Sequence, residues 1–389
     1  MTPETYLDRV RALLPALRER AARAEQLRRL PDETFADFQE AGLLRALQPK
    51  RYGGYELDPG TFYQAVAEVG AVCGSSGWIL GVLGVHNWHL AILPPQAQED
   101  VWGEDDSVQL STSLAPTGTV ERVEGGFRLH GRWSFSSGCD YCQWVALGGA
   151  APSIAPGEPP DLRVFLLPRR DYRIDDNWHV MGLCATGSKD LVVEDAFVPE
   201  YRTHSYRDAF ALNHPGAAVN DAPLYRLPFG LVFTYGIVSP AIGAAQGALT
   251  AFREQAARRI NVRDGSRAVE DPFMQYRLAE AAAEIDAARE RMLADFAAMM
   301  RHARAGEEIP LADRARYRWD SGKAMERSVR AVDLLFEASG GHGIFLDNPI
   351  QRAWRDVHAM RAHAGNNPER ASFIFARSEF GLPPQDIRF

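Results

Sequence analysis

The chain has 389 residues, of which 46% are hydrophobic and 24% are charged, and its formal net charge is −8 at pH 7. This composition predicts a soluble globular protein of two or three structural units without a transmembrane helix, and the mild negative charge argues against a nucleic-acid scaffold. Because the N-terminus lacks the basic and apolar regions of a signal peptide, we predict a cytoplasmic location.

The four cysteines are expected to be reduced and structural. Cys139 and Cys142 form a CxxC pair, but no second pair or histidine cluster accompanies them, and the other two cysteines are Cys73 and Cys184. Because a zinc site needs more ligands than this pair supplies, we predict that the chain has no metal site.

The first hundred residues are predicted to be helical. Apolar periodicity and start and stop signals predict helices over 4–29, 31–42, 61–72 and 77–93. Pro15 is expected to kink the first helix, and residues 49–59 are expected to form a loop. The last helix carries Trp78 and the run His86-Asn87-Trp88-His89, which either packs in a core or lines a pocket for an aromatic ligand.

From about Asp106 the pattern changes to short β-rich segments. Gly and Pro turns separate the predicted strands, which cover 108–113, 127–132, 144–147, 162–167 and 191–198. Gly125-Gly126 is a hairpin signal. The middle third of the chain is therefore predicted to be a small β domain.

Trp133 to Gly138 follow one of these predicted strands and contain two adjacent hydroxyls, Ser136 and Ser137. Hydroxyls at a strand end, beside a glycine that lets the backbone approach another group, suit a flat polar ligand. A plain turn explains the same residues.

The C-terminal part is predicted to be a helical bundle. After an irregular stretch at 200–235, long helical patterns cover 237–260, 272–305, 311–339 and 349–364, which is typical of an antiparallel four-helix bundle. The fold class is therefore α+β. We predict a helical domain over 1–105, a β domain over 106–205 and a bundle over 206–389.

Several common catalytic and nucleotide-binding motifs are absent from the sequence. It contains no GxGxxG after a strand, no GxxxxGK[ST], no HExxH and no GxSxG. An enzyme with this sequence is therefore expected to use an organic cofactor that binds without those motifs.

Motifs spread over the chain carry a family resemblance. They include the stretches 73–78, 84–90, 133–140, 186–188, 192–199, 349–352, 355–356 and 379–384. On these residues the chain resembles the acyl-CoA dehydrogenase fold superfamily over nearly its whole length. More narrowly, it is similar to the oxygenase component of two-component flavin-dependent monooxygenases, in particular the steroid-degrading branch that hydroxylates a phenolic secosteroid.

This resemblance implies a homotetramer that binds reduced flavin, FADH₂ or FMNH₂, between the β domain and the bundle. A separate NAD(P)H:flavin reductase would supply the flavin. Dioxygen would add at flavin C4a, and the resulting hydroperoxide would transfer its distal oxygen to an electron-rich aromatic ring.

The resemblance also assigns polar residues to the flavin pocket. Ser136 matches the residue that faces flavin N5, with Ser137 as the fallback. Strand alternation places Ser111 and Ser113 on one face of the preceding strand, and we expect Ser111 to line the cofactor pocket and Ser113 the substrate pocket. Thr186 and Ser188 match a flavin-contacting loop. Turn formation or solvent exposure are the alternatives for these hydroxyls.

The segment after Arg355-Asp356 distinguishes two possible reactions, dehydrogenation and monooxygenation. In the commonest acyl-CoA dehydrogenases it carries a catalytic glutamate, at the place that Ala364 occupies here, so α,β-dehydrogenation is disfavoured. In the monooxygenase branch a histidine matches His363. An imidazole that titrates near neutrality would take the phenol proton or support the hydroperoxide. A structural histidine is the alternative, and we predict that role for His358.

Further residues are assigned to substrate and phosphate. Trp78 and His86 match the helix that shapes the aromatic pocket, and His86 is expected to hydrogen-bond a substrate oxygen. Cofactor phosphates are predicted to meet Arg258, Arg259 and Arg263, from a neighbouring subunit, and the glycine turn at Gly340 and Gly341. A solvated helix face and a helix C-cap are the alternatives.

Two departures from the steroid branch leave the substrate open. Leu114 stands where that branch has an aromatic residue, and residues 200–230 match it less well. Both lie where substrate choice is expected, so an aromatic polyketide, a simple phenol or an indole remain alternatives. Other possible functions are an acyl-CoA dehydrogenase or oxidase, a monooxygenase acting on nitrogen or sulfur, and a non-enzymatic binding protein.

Overall fold

The N-terminal helices follow the predicted order. The computed structural model describes residues 1–153, 157–260 and 265–386. Its first five helices are α1 (Pro3–Leu27), α2 (Asp32–Glu40), α3 (Pro59–Gly70), α4 (Gly74–Ile92) and α5 (Pro95–Trp102). The helix α5 was not predicted. Side-chain caps explain where α1 and α3 begin. Thr2 accepts a hydrogen bond from the N–H of Thr5, and Asp58 accepts one from the N–H of Gly60.

The helix α4 is buried along its whole length. Glycines let its neighbours approach closely, since a Cβ on Gly81 would lie 2.4 Å from the carbonyl oxygen of Gly236 and one on Gly77 would lie 2.7 Å from the Cα of Gly70. No side chain larger than hydrogen fits at such distances. This packing places Trp78 and His86 of α4 inside the protein.

Within the described ranges, eight strands form two four-stranded sheets. They are β1 (Leu110–Ser113), β2 (Thr119–Val123), β3 (Gly126–Ser136), β4 (Trp144–Ala151), β5 (Asp161–Pro168), β6 (Arg173–Asp175), β7 (Lys189–Pro199) and β8 (Thr203–Ser205). The sheet orders are β1-β4-β5-β8 and β2-β3-β7-β6, with only the β1–β4 pair parallel among the described strands. Large side chains from both sheets, among them Phe127, Trp133 and Phe165, share one apolar core.

The strand β3 differs from its prediction. It continues to Ser136, so the stretch from Trp133 to Ser136 is part of the strand and does not follow it. Its pairing with β7 is irregular between Trp133 and Ser136, and Phe135 has a φ of 68° and is 69% exposed. This bulge changes the direction in which the side chains at the strand end point. The strands β2, β6 and β8 were also not predicted, and the two shortest have only three residues each.

The C-terminal part is a helical bundle. It contains α6 (Tyr206–Phe210), α7 (Phe229–Arg258), α8 (Pro272–Ala305), α9 (Leu311–Ser339), α10 (Pro349–Arg361) and α11 (Pro368–Glu379). The bounds of α8 and α9 agree with the prediction. The helix α7 begins at Phe229, inside the stretch predicted to be irregular, and α6 and α11 were not predicted. The domain boundaries at 105 and 205 stay a prediction.

The helix α7 is long and apolar enough to cross a membrane by composition alone. Within its most apolar 18-residue window, 89% of the residues are buried inside the folded chain. The sequence prediction overlooked this uncharged stretch. Its apolar side chains pack in the core of the bundle, as Leu231, Tyr235 and Val238 do with no exposed surface.

A buried carboxyl group in the bundle predicts how the stability of the protein depends on pH. Asp295 is fully buried, accepts a hydrogen bond from the Tyr235 hydroxyl at 3.0 Å, and lies 2.6 Å from an Nη of Arg291. Burial, and then the neighbouring charge of Asp320, raise its pKa to about 7. Because the folded state holds this proton to a higher pH than the unfolded state, the free energy of unfolding should fall as pH rises from about 4 to about 7.

Asp295→Asn should therefore remove part of this pH dependence. We expect the wild type to lose about 1–3 kcal/mol more stability than the variant between pH 5 and pH 8. Apparent unfolding midpoints in urea at both pH values measure this difference. The control is Asp286→Asn, on the exposed side of the same helix. Equal losses in the Asp295→Asn variant and the wild type would show that Asp295 is already ionised in the folded protein at pH 5.

Candidate functional site

Hydroxyl side chains from β1, β3 and the segments beside β3 and β7 form two hydrogen-bonded groups, which Ser136 and Ser137 join as neighbours in the chain. Ser136 donates to Ser111 at 3.0 Å between the two oxygens. The hydroxyls of Ser137 and Ser188 are 2.7 Å apart, and those of Ser188 and Thr186 are 2.6 Å apart. All five side chains are buried. This hydroxyl cluster, defined as these five residues, joins members of two sequence motifs that lie about 50 residues apart.

Trp78 connects the hydroxyl cluster to His363. Its indole N–H donates to the hydroxyl of Ser137 at 3.0 Å. Its ring lies edge-on to the ring of His363, with 5.8 Å between the ring centroids. The structure therefore brings the predicted residues of α4, β3 and the segment after α10 into one site.

His363 is held by the turn that follows α10. Its Nδ1 accepts a hydrogen bond from the N–H of Gly365 at 3.0 Å, which leaves the proton of a neutral ring on Nε2. The protein packed around it lowers the pKa of its imidazole, although solvent still reaches the exposed ring. A lowered pKa favours the neutral imidazole at pH 7, and the expected titration near neutrality stays a prediction.

His358 has the structural surroundings predicted for it. Its Nε2 is 2.9 Å from a carboxylate oxygen of Asp333, and its ring packs on Trp354 with 4.5 Å between ring centroids. Both partners belong to the helices α9 and α10, so this contact ties two helices of the bundle together.

His86 is already fully engaged within the chain. Its Nδ1 lies 2.7 Å from the carbonyl oxygen of Leu110 and must donate to it, so its Nε2 accepts from the hydroxyl of Thr112 at 2.9 Å. Burial lowers the pKa of His86 to about 4. A substrate oxygen could bond this ring only by displacing Thr112, so the predicted hydrogen bond does not fit this geometry.

Thr112 was missed in the sequence analysis. It alternates with the buried Ser111 and Ser113 along β1 and is half-buried, as is the neighbouring Leu114. Ser113 donates to the carbonyl oxygen of Ser134 at 2.6 Å, which ties β1 to β3. Strand alternation beside two predicted serines was the signal that could have identified Thr112.

Asp356 is a second residue whose role the sequence did not reveal. It is buried, and its carboxylate accepts from the N–H of Leu183 at 2.6 Å. Leu183 has a φ of 55°, and its carbonyl oxygen accepts from Thr186. Asp356 therefore links α10 to the loop that carries Thr186 and Ser188, and so positions part of the hydroxyl cluster.

The predicted phosphate residues lie elsewhere on the chain, where α7 and α9 end. Arg259 donates to the carbonyl oxygens of Ala338 and Ser339, both at 3.1 Å. A Cβ on Gly340 would lie 2.9 Å from an Nη of Arg259, and Gly340 has a φ of 64°, so the structure brings these two predicted residues together. Arg258 and Gly341 are exposed, and Arg263 lies outside the described residues.

The cysteines are consistent with structural thiols. All four are free and buried, and burial raises the pKa of Cys139 to about 12. Within the described ranges, no group of three His, Cys, Asp or Glu side chains is placed to hold a metal ion.

Comparisons with known protein families match both helical parts of the chain. The model described as "Acyl-CoA dehydrogenase, N-terminal domain" matches residues 4–102, and the model "Acyl-CoA dehydrogenase, C-terminal domain" matches residues 235–368. These matches and the structural similarities below confirm the predicted fold class.

Two relatives align over nearly the whole chain. The flavin-dependent monooxygenase oxygenase subunit HsaA of Rhodococcus jostii is 46% identical over 98% of this chain and 99% of that protein. The oxygenase component of an FADH(2)-dependent resorcinol hydroxylase of a Rhizobium species is 36% identical over 97% of this chain and 95% of that protein.

Two solved structures have the same fold. The 3-HSA hydroxylase from Rhodococcus sp. RHA1 has a TM-score of 0.94 and 45% identity, covering 99% of this chain and 98% of that one. The protein XiaF from a Streptomyces species, solved with FADH2 and glycerol, has a TM-score of 0.89 and 29% identity, covering 99% and 97%.

Proposed function

Because the chain belongs to the flavin-dependent monooxygenases that have the acyl-CoA dehydrogenase fold, we propose that it is the oxygenase component of a two-component aromatic hydroxylase. Reduced flavin and dioxygen together supply the oxygen atom that enters the aromatic ring. The proposal rests on one observation, which is that the hydroxyl cluster, Trp78 and His363 lie in one site. The substrate we propose is a phenol, a polycyclic phenol or an indole.

The hydroxyl cluster suits the polar edge of a flavin ring. It offers neutral hydroxyl groups, which match an uncharged ring of alternating donors and acceptors. The Ser136 hydroxyl donates its hydrogen bond to Ser111. Its oxygen therefore keeps lone pairs that can accept a hydrogen bond from an N–H group, such as the N5–H of reduced flavin. Trp78 and Ser188 hold Ser137 in place beside it, so these hydroxyl groups are preorganised.

His363 is best suited to donate a hydrogen bond. Its Nε2 carries the proton, and its Nδ1 is occupied by the N–H of Gly365. To accept a phenol proton, the ring would have to release Gly365 or exchange tautomers. In the arrangement seen here, His363 would support an oxygen atom of the flavin or the substrate, while Trp78 fixes the plane of its ring.

The exposed Ala364 disfavours the main alternative, an acyl-CoA dehydrogenase, because a methyl group cannot remove an α-proton. Tightly bound oxidised flavin on the purified protein would revive that alternative. A monooxygenase acting on nitrogen or sulfur uses the same flavin chemistry, and assays with an amino sugar and a thiophene distinguish it.

The phosphate end of the flavin would be held by Arg258 and Arg259 with the turn at Gly340 and Gly341. Arg259 already stands over Gly340, and guanidinium groups suit phosphate oxygens. We propose that these residues serve the flavin of a neighbouring subunit, as the resemblance implies.

We further propose that the protein is a cytoplasmic homotetramer served by a separate NAD(P)H:flavin reductase. Large apolar side chains are exposed on the C-terminal part of the single chain, including Phe273 at 78%, Leu346 at 77% and Phe380 at 79%. Exposed apolar surface of this kind is typical of subunit contacts. We expect light scattering to give about four times the chain mass of 43.1 kDa, whereas a monomer mass would contradict this proposal.

The test of the function uses the full chain and both reduced flavins. The protein is mixed with FMNH₂ or FADH₂ without oxygen and with a panel of phenols and indoles, and then receives ¹⁸O₂. We expect a delay before oxidised flavin appears and one labelled oxygen atom in an aromatic product. Immediate oxidation of both flavins, with no label in any product, would contradict the proposal.

A further inference from the structure

Three buried histidines cluster beyond His86, on elements far apart in the sequence. His89 belongs to α4, His204 to β8, and His214 follows α6. The ring centroids of His89 and His204 are 6.0 Å apart, and those of His204 and His214 are 5.8 Å apart. The three residues are 1%, 4% and 6% exposed. We call them the histidine cluster.

Each of these rings has a buried nitrogen without a hydrogen-bond partner among the described residues. The atoms are Nε2 of His89, Nε2 of His204 and Nδ1 of His214. Leaving a buried polar group unpaired costs about 1–3 kcal/mol, so native proteins pair nearly all of them. Three unpaired nitrogens on neighbouring rings therefore leave hydrogen-bonding capacity for a polar group from outside the chain, either an ordered water or a ligand atom.

Aromatic rings connect the histidine cluster to His86, which bonds Thr112 beside Ser111 of the hydroxyl cluster. Phe233 stacks on His86 at 5.5 Å between ring centroids and meets His89 edge-on at 5.7 Å. Phe229 packs against His89 at 4.7 Å. Phe233 itself is only half-buried. The walls of this region suit a carbon skeleton.

The direction of α4 separates the two ends of the site. Trp78, next to the hydroxyl cluster, precedes His89 by 11 residues on one helix, which corresponds to about 16 Å along the axis. His204, His214 and Phe229 also lie in the stretch 200–230, which we expect from the sequence to match the secosteroid branch less well. The histidine cluster therefore stands where the far end of a substrate would lie.

The chemistry of the rings restricts the ligand. Burial lowers the pKa of all three imidazoles, so they are neutral at pH 7. Nε2 of His214 lies 3.4 Å from the carbonyl oxygen of Leu227, which places the proton there and makes its unpaired Nδ1 an acceptor. A ligand must then donate to His214, and it can accept from a ring N–H of His89 or His204. A hydroxyl group does both.

We propose that the histidine cluster binds a hydroxyl group at the end of the substrate remote from the aromatic ring that is hydroxylated. This inference rests on the proposed function for the identity of the ring. The cluster would select among phenols by their distal oxygen, because a site built to pair a hydroxyl rejects an analogue that lacks it.

A matched pair of phenols tests the inference. The probes are 4-(4-hydroxycyclohexyl)phenol and 4-cyclohexylphenol, which differ only in the distal hydroxyl. Their affinities for the full chain with reduced flavin are measured by calorimetry without oxygen. We expect the hydroxylated probe to bind about tenfold more tightly to the wild type. His204→Leu and His214→Leu should each remove most of this preference, and the control His130→Leu, on the exposed part of β3, should keep it.

Several outcomes would overturn the inference. Equal affinities of the wild type for both probes would show that the cluster holds only ordered water. A preference that survives both leucine variants would place the hydroxyl elsewhere. Should those variants not fold, His204→Gln and His214→Gln replace them, and an unchanged preference in both would count equally against the cluster.

Two further readouts complete the test. If 4-(4-hydroxyphenyl)cyclohexanecarboxylate binds more tightly than the alcohol, the cluster is an anion site and not a hydroxyl site. Arg163, near His204, and Arg314, near His214, would then supply the positive charge. The proposed function is judged separately, by oxygen incorporation. If neither probe is oxygenated while the binding preference persists, the function fails and the hydroxyl site stands.

Discussion

Replacing His363 with alanine is expected to slow hydroxylation by about 10²- to 10⁴-fold, while reduced flavin still binds. The variant loses the Nε2–H that the Gly365 contact leaves free to donate, and Trp78 loses its edge-on neighbour. Single-turnover product formation after an oxygen pulse measures the loss. A separate titration with reduced flavin without oxygen checks binding.

The control for this prediction is His358→Ala, which deletes the same kind of side chain five residues earlier, inside α10. Its ring contacts Asp333 and Trp354, so we expect a modest loss of stability and an unchanged rate per bound flavin. An unchanged rate for His363→Ala would remove that residue from the site.

The pH dependence gives a second check on His363. Because the surrounding protein lowers the pKa of its imidazole, the ring should stay neutral as pH falls from 8 to 6. Its protonation should therefore not reduce the single-turnover rate in that range. A rate that falls with a midpoint near 6.5, and loses this midpoint in His363→Ala, would show that the ring titrates at its ordinary value.

Ser136→Ala is expected to shorten, by about tenfold or more, the delay before oxidised flavin appears after an oxygen pulse. The hydroxyl oxygen of Ser136 is the group we assign to N5 of the flavin, and its removal also leaves Ser111 without its donor. Less of the consumed oxygen should then enter the product. Stopped-flow absorbance and the ratio of product to oxygen consumed measure the two effects.

Ser328→Ala is the matched control, because it deletes another buried hydroxyl, which donates to the carbonyl oxygen of Ala324 within α9. We expect the same delay as in the wild type. If Ser136→Ala keeps both the delay and the product ratio, Ser137 becomes the residue to test, since it occupies the next position and is bound to Trp78.

Much of the fold was predictable because local signals and long-range packing agree. The bounds of α8 and α9 follow from Asp271-Pro272 and Pro310 at their starts and from Gly306 after α8. The strand β8 and the bulge at Phe135 were not predictable. A three-residue strand carries too little periodicity, and a positive φ is unusual for a phenylalanine.

The sequence by itself determined the order of the helical, β and bundle parts, the family and the residue types of the site, because these depend on motifs and periodicities within short stretches. Only the tertiary structure decided which polar atoms remain available. His86 matched the pocket motif, but β1 brings Leu110 and Thr112 against both of its nitrogens. His89 carried no separate signal, yet strand and loop residues more than 100 positions later leave its Nε2 buried and unpaired. Hydrogen-bond pairing depends on distances between distant segments, which spacing along the chain does not encode.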